Sequence, residues 1–197
     1  MKTPSPLKQT DGRHARALAN RDAAVRALLH LIRHTGEVPT ASEVAARAGL
    51  SRRTVFRLFN DLESLHLAAN EMQTAEVLSR FPPPLPQPEP LEATIARVVE
   101  HRAAVYEHIM PLRIVGERLR HQHDFIAQSI DQATQQLRAH LRALFAQHLP
   151  EEDTERFQAL ELLTSWYTWH TLRETQQCSR ELALQVVTGG VRRLWPA

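Results

Sequence analysis

Apolar residues recur at three- and four-residue spacing along most of the chain, which is the period of one face of an α-helix and not the alternation of a strand. Leu18, Val25, Leu28, Leu29 and Ile32 form a first stripe, and Gly36 supplies a left-handed cap that ends it without steric cost. Thr40 and Glu43 stand at capping-box spacing, so a second, short helix starts there and closes by Gly49. Ser51 offers the next N-cap. Residues 40–59 therefore predict helix, tight turn, helix, with Val44, Ala45, Ala48, Leu50, Val55 and Phe59 as a small core.

Six of the twelve prolines fall in "PPPLPQPEP", residues 82–90. Fixed φ angles and missing amide donors break the helix there, leaving a stiff spacer or a polyproline ligand for a partner domain. Helical periodicity resumes with Ile95, Val98, Val99, Val105, Tyr106 and Ile109; Pro111 is expected to interrupt this fifth helix. Two further helices are predicted over 153–177 and 180–195, and no strand is expected.

Composition narrows the class without naming a chemistry. The 197 residues, 43% apolar, suffice for a real core. One cysteine, Cys178, excludes an internal disulfide framework and a cysteine zinc cluster. The polar start "MKTPSPLKQTDGRH" lacks a secretory apolar stretch, and no apolar run approaches the ~20 residues that span a bilayer, so a soluble cytoplasmic protein without membrane association is expected. The net charge of +2 hides an uneven distribution: residues 1–60 carry 11 Lys and Arg against 4 Asp and Glu, residues 61–197 carry 13 against 18. A basic head on an acidic body fits a polyanion ligand at the head, or a basic tail with solvated faces.

On a helix starting after Ser51, Val55, Leu58 and Phe59 point inward while Arg52, Arg53 and Phe56 point outward. Exposed arginines on the first turn of the second helix of such a pair are suited to guanine O6 and N7, and a threonine methyl to thymine. The stretch "TASEVAARAGLSRRTVFRLFNDLESL" resembles, without gaps, the helix-turn-helix of TetR-type (TetR/AcrR) transcriptional regulators: A-x-x-A-G-[hydrophobic]-S, then T-[LV]-[YF], then F and E-x-L. The detailed match covers about residues 20–68.

The resemblance implies an all-α fold of about nine helices, with an N-terminal three-helix helix-turn-helix DNA-binding domain followed by an α-helical ligand-binding and dimerisation domain. The boundaries are a flexible basic arm over 1–17, the DNA-binding domain over 18–66 and the body over 67–197. It further implies a repressor that binds double-stranded operator DNA as a homodimer and responds to a small-molecule effector, with no cofactor, metal or catalytic residue. DNA contacts fall to Arg52, Arg53, Thr54, Phe56 and Arg57, with Thr40 and Arg21 beside them. The chain departs from the family pattern where a tyrosine is usual (Phe56), where a histidine or tyrosine is frequent (Leu58) and where a lysine is usual (Leu62). Those positions commonly serve the phosphate backbone, so Arg57, Arg53, Arg13, Arg16 or Arg21 is expected to compensate.

In the body, Arg102 lies within an apolar stripe and requires an oxygen partner, whether a ligand carboxylate, an internal glutamate or water reached by snorkelling. Arg173 on the Trp166 and Trp169 face poses the same choice. Tyr106, Met110, Ile114, Phe125, Trp166 and Trp169 are candidates for an apolar effector pocket or plain core. Trp166, with Ala183, Val187, Gly190, Val191 and Leu194 on the last helix, is the candidate dimer interface.

Among eleven histidines only "HQH" at 121–123 approaches a cluster, and it has no carboxylate or cysteine at ligand spacing. No Gly-rich phosphate loop or nucleophile motif is present. The competing readings are a small all-helical ligand carrier or enzyme without DNA binding, and an architectural DNA-binding protein without an effector cavity.

Overall fold

The computed structural model describes residues 7–195, with the side chains of 7–11 and of Leu62 outside the description. The described residues form nine α-helices and one π-helical turn, with no strand among them. The elements are α1 (Leu7–Thr35), α2 (Ala41–Ala48), α3 (Arg52–Leu58), α4 (Leu62–Arg80), α5 (Leu91–Leu119), α6 (Asp124–Phe145), α7 (Thr154–Leu163), α8 (Trp166–His170) with the π-helical turn Thr171–Thr175, and α9 (Arg180–Arg192).

The chain divides into two compact units: residues up to Glu76 together with Pro111–Ile126, and Val77–Met110 together with the rest of the chain from Ala127. This differs from one cut at 66/67. The cause is the far half of α5, whose Val115 is buried in the first unit's core while Leu112 and Leu119 pack against it. Pro111 does not interrupt α5: its fixed φ is itself helical, and the helix continues to Leu119 despite the missing amide and the ring set against the carbonyl one turn earlier.

The first unit follows the capping chemistry read from the sequence. Thr40 and Glu43 form the full capping box. Gly49, at φ 68°, turns the chain left-handed, and the amides of Gly49 and Leu50 reach back to Ala46 O and Ala45 O. Val25, Leu28, Ile32, Val44, Val55, Phe59 and Leu65 close the core of this unit. Leu18 is 51% exposed, so the buried stripe of α1 starts later than expected. The helix also starts earlier: residues 7–17, assigned to an arm, belong to α1, while residues 1–6 lie outside the described chain.

In the second unit the proline segment is bound along its length. A polyproline-like backbone makes no hydrogen bonds of its own, and side chains supply them. Arg97 donates to Leu85 O, Gln147 to Gln87 O and Glu89 O, and the Nε2 atoms of His101 and His140 contact Phe81 O and Pro84 O. The helix predicted over 153–177 is broken at Thr164–Ser165: Ser165 is extended and caps α8, accepting from the Thr168 amide at 3.1 Å.

Candidate functional site

The turn between α2 and α3 fixes what α3 presents. Ser51 Oγ accepts from the Thr54 amide at 3.1 Å and shares a 2.8 Å hydrogen bond with the Thr54 hydroxyl. Val55 and Phe59 are buried, whereas Arg52, Arg53, Phe56 and Arg57 are exposed. Phe56 is 49% exposed with the Arg52 guanidinium 5.4 Å from its ring centroid, so the cation and the ring form one outward platform. Two arginines in a first helical turn oppose the helix dipole, at roughly 0.3–1 kcal/mol each, and no acidic residue offsets them there. Stability of α3 therefore does not explain their placement.

Thr40 and Arg21 have structural partners. The Thr40 hydroxyl and amide are both engaged with Glu43, whose carboxyl is held below the usual range by the Thr40 amide and hydroxyl. Arg21 Nη1 donates to Leu58 O at 3.1 Å, and its guanidinium lies over the Phe59 ring. Arg13 and Arg16 are exposed on the first turns of α1. Arg47, which the sequence reading did not single out, is exposed on α2 near His30, whose imidazole is driven toward neutrality by burial first and by Arg47 next. Its signal was its place in the last turn of α2.

The candidate pocket residues divide between the units. Ile114 and Phe125 fall in the first, where Phe125 stands beside the His66 and His123 rings. Arg102, Tyr106, Met110, Trp166, Trp169 and Arg173 fall in the second. A small cavity of about 10 Å³, the scale of one water molecule, is lined by Val99, Arg102, Ala103, Tyr106, Thr164 and Trp169 among others. Met110, Ile114, Phe125, Trp166 and Arg173 do not line it.

Of the three partners considered for Arg102, the structure shows neither a glutamate nor water-reaching extension. The residue is 6% exposed and donates to Thr164 O at 2.9 Å, Thr164 Oγ1 at 2.7 Å and Leu137 O at 2.9 Å. Tyr106 also donates to Thr164 O, at 3.1 Å. Arg173, by contrast, pairs with Glu107 at 2.6 Å, and the same carboxylate accepts from Trp169 Nε1 at 2.9 Å. Glu107 holds the Arg173 guanidinium more firmly charged than a free one. Sequence reasoning missed Thr164 and Glu107; the available signal for Thr164 was a polar pair, Thr164–Ser165, inside an apolar run.

The dimer candidates also move. Trp166, Ala183, Val187 and Val191 are buried within the protomer itself, and Gly190 faces Leu163 so closely that an added Cβ would lie 3.2 Å from its Cδ2. Gly190 and Leu194 are half-buried. The exposed apolar residues on these helices are Leu162, Tyr167, Leu182 and Val186. A stripe facing the protomer's own α7 has the same period as one facing a second subunit, so spacing alone does not separate the two.

No family model matches the chain, and no curated protein matches it. A solved structure of a tetR-family transcriptional regulator from Streptomyces coelicolor is similar over 88% of this chain and 90% of that one, with a TM-score of 0.64 at 20% sequence identity. No helix among the described residues is long and apolar enough to cross a membrane. The chain therefore has the all-helical fold of that regulator, with its helix-turn-helix at α2–α3.

Proposed function

We propose that this protein is a DNA-binding transcriptional regulator of the TetR type, a repressor that holds operator DNA as a homodimer and is released by a small-molecule effector. The observation that carries the reading is the sorting of α3: Arg52, Arg53, Phe56 and Arg57 face solvent from a short helix whose other face is locked by Val55 and Phe59. Arg52 and Arg53 read base edges in the major groove, and Arg57 with Arg13 and Arg16 meets phosphates. Thr40 and Arg21 act behind them, holding the starts and ends of α2 and α3.

Dimerisation is assigned to the outward residues Leu162, Tyr167, Leu182 and Val186, since solvent-facing leucines on two neighbouring helices gain by mutual burial. A two-fold dimer then places two copies of α3 on half-sites ~34–36 Å apart. Fluorescence-anisotropy titration against fragments of the genomic region flanking the coding sequence tests the function directly. Sequence-selective, salt-sensitive binding is the expected result; binding equal for all fragments would leave only an architectural role, and no binding would remove the regulatory reading.

A further inference from the structure

We infer that the Arg102 site takes a short-chain monocarboxylate, and that this anion class is the effector; the second half rests on the regulatory reading above, the first does not. Arg102 is more than nine-tenths buried and all its hydrogen bonds run to neutral oxygens. Among the described residues no carboxylate pairs with it, whereas Arg173 and Arg97 of the same unit have carboxylate partners in Glu107 and Glu89.

A desolvated guanidinium without a counter-charge is costly, and neutral carbonyls offset that cost only in part. The bonds from Arg102 to Thr164 and Leu137 already have a charged donor; a carboxylate adds ion–ion attraction and can accept two parallel N–H···O bonds, so an entering anion outcompetes Thr164 for the same Nη1 donors. The cavity beside the guanidinium is walled by Val99, Ala103, Leu163 and Val187, which suit one to three carbons behind the carboxylate and no second charge. Its volume of about 10 Å³ holds only a water-sized guest, so the anion needs one wall to yield.

That wall is the α7–α8 junction. Thr164 caps the end of α7, its amide still bonded to Leu160 O, Ser165 is extended, and α8 is a short helix that passes into a π-helical turn. Taking Arg102 from Thr164 releases the chain between Leu162 and Tyr167, two residues of the proposed dimer face, which gives the anion different affinity for two arrangements of that face.

The test is a titration of wild-type protein with propionate and with its neutral isostere propionamide at constant ionic strength, read by tryptophan fluorescence and melting temperature, alongside Arg102→Met. Propionate is expected to bind about tenfold or more tightly than propionamide, as charged hydrogen bonds imply, and the preference to vanish in Arg102→Met. Equal binding of the two probes, or none, overturns the site, and this wild-type comparison decides even where Arg102→Met fails to fold. A propionate preference that survives in folded Arg102→Met also overturns it. Operator titrations with and without propionate then separate the two halves: binding without any change in DNA affinity removes the effector assignment and leaves the site, whereas a chain that binds no duplex removes the regulatory reading alone.

Discussion

The guanidinium of Arg21 lies 4.4 Å from the ring centroid of Phe59 and donates to the carbonyl of Leu58, the last residue of α3. One side chain of α1 thus satisfies an orphan carbonyl at the negative end of α3 and covers the ring that anchors it. Arg21→Met is expected to lower unfolding stability by roughly 1–2 kcal/mol in chemical denaturation and to leave the salt dependence of DNA binding unchanged. A slope that falls by about one phosphate equivalent would return Arg21 to direct DNA contact.

The exposed arginines of α3 divide differently. Arg52→Ala or Arg53→Ala is expected to cost about 1–3 kcal/mol on the preferred duplex and to relax base preference at one position. Arg57→Ala is expected to weaken preferred and scrambled duplexes alike and to reduce the salt slope by about one. Titrations of both duplexes at several salt concentrations check the division; a preserved base preference in both Arg52→Ala and Arg53→Ala would show that α3 does not read sequence.

For assembly, Val186→Glu places a charge on the outward face of α9 and is expected to yield a folded monomer at micromolar concentration in sedimentation. Gly190→Glu is expected instead to reduce melting temperature, since its side chain would enter the space held by Leu163. A Val186→Glu protein that remains dimeric would move the interface off this face.

What was legible in the sequence was whatever local chemistry fixes. The capping box at Thr40–Glu43, the left-handed Gly49 and the Ser51 cap are decided within a few residues, so α2, α3 and the sorting of Arg52 from Val55 could be read directly. The capture of Thr164 by Arg102 and the pairing of Glu107 with Arg173 join residues 62 and 66 positions apart, and Val115 returns to the first unit's core from the far half of α5, across a turn of unknown direction. Periodicity gives a helix its faces without saying which partner each meets: Val187 and Val191 have the spacing of an interface stripe and are buried within the protomer.

The bound proline segment contributes to the pH dependence of the second unit, alongside Glu181, whose carboxyl its own amide and the Ser179 hydroxyl hold below the usual range. Glu89 receives Arg97 first, then Gln87 and Thr94, and these bonds lower its carboxyl from 4.5 to about 2. A carboxyl depressed on folding contributes stability that is whole above pH 4.5 and is lost as the pH falls from there toward 2. His101, made less basic mainly by burial, acts in the same direction at higher pH: the unfolded chain takes up its proton below pH 6.5 before the folded one does, so stability declines from pH 6.5 downward. Two successive acid limbs are therefore expected in melting temperature against pH. Glu89→Gln should make the limb below pH 4.5, which Glu43 and Glu181 share, shallower while leaving the upper one, and His101→Gln should make the upper limb, which His30 and His66 share, shallower, its amide still able to donate to Phe81 O. An unchanged lower limb in Glu89→Gln would place the acid sensitivity in carboxylates outside the proline segment.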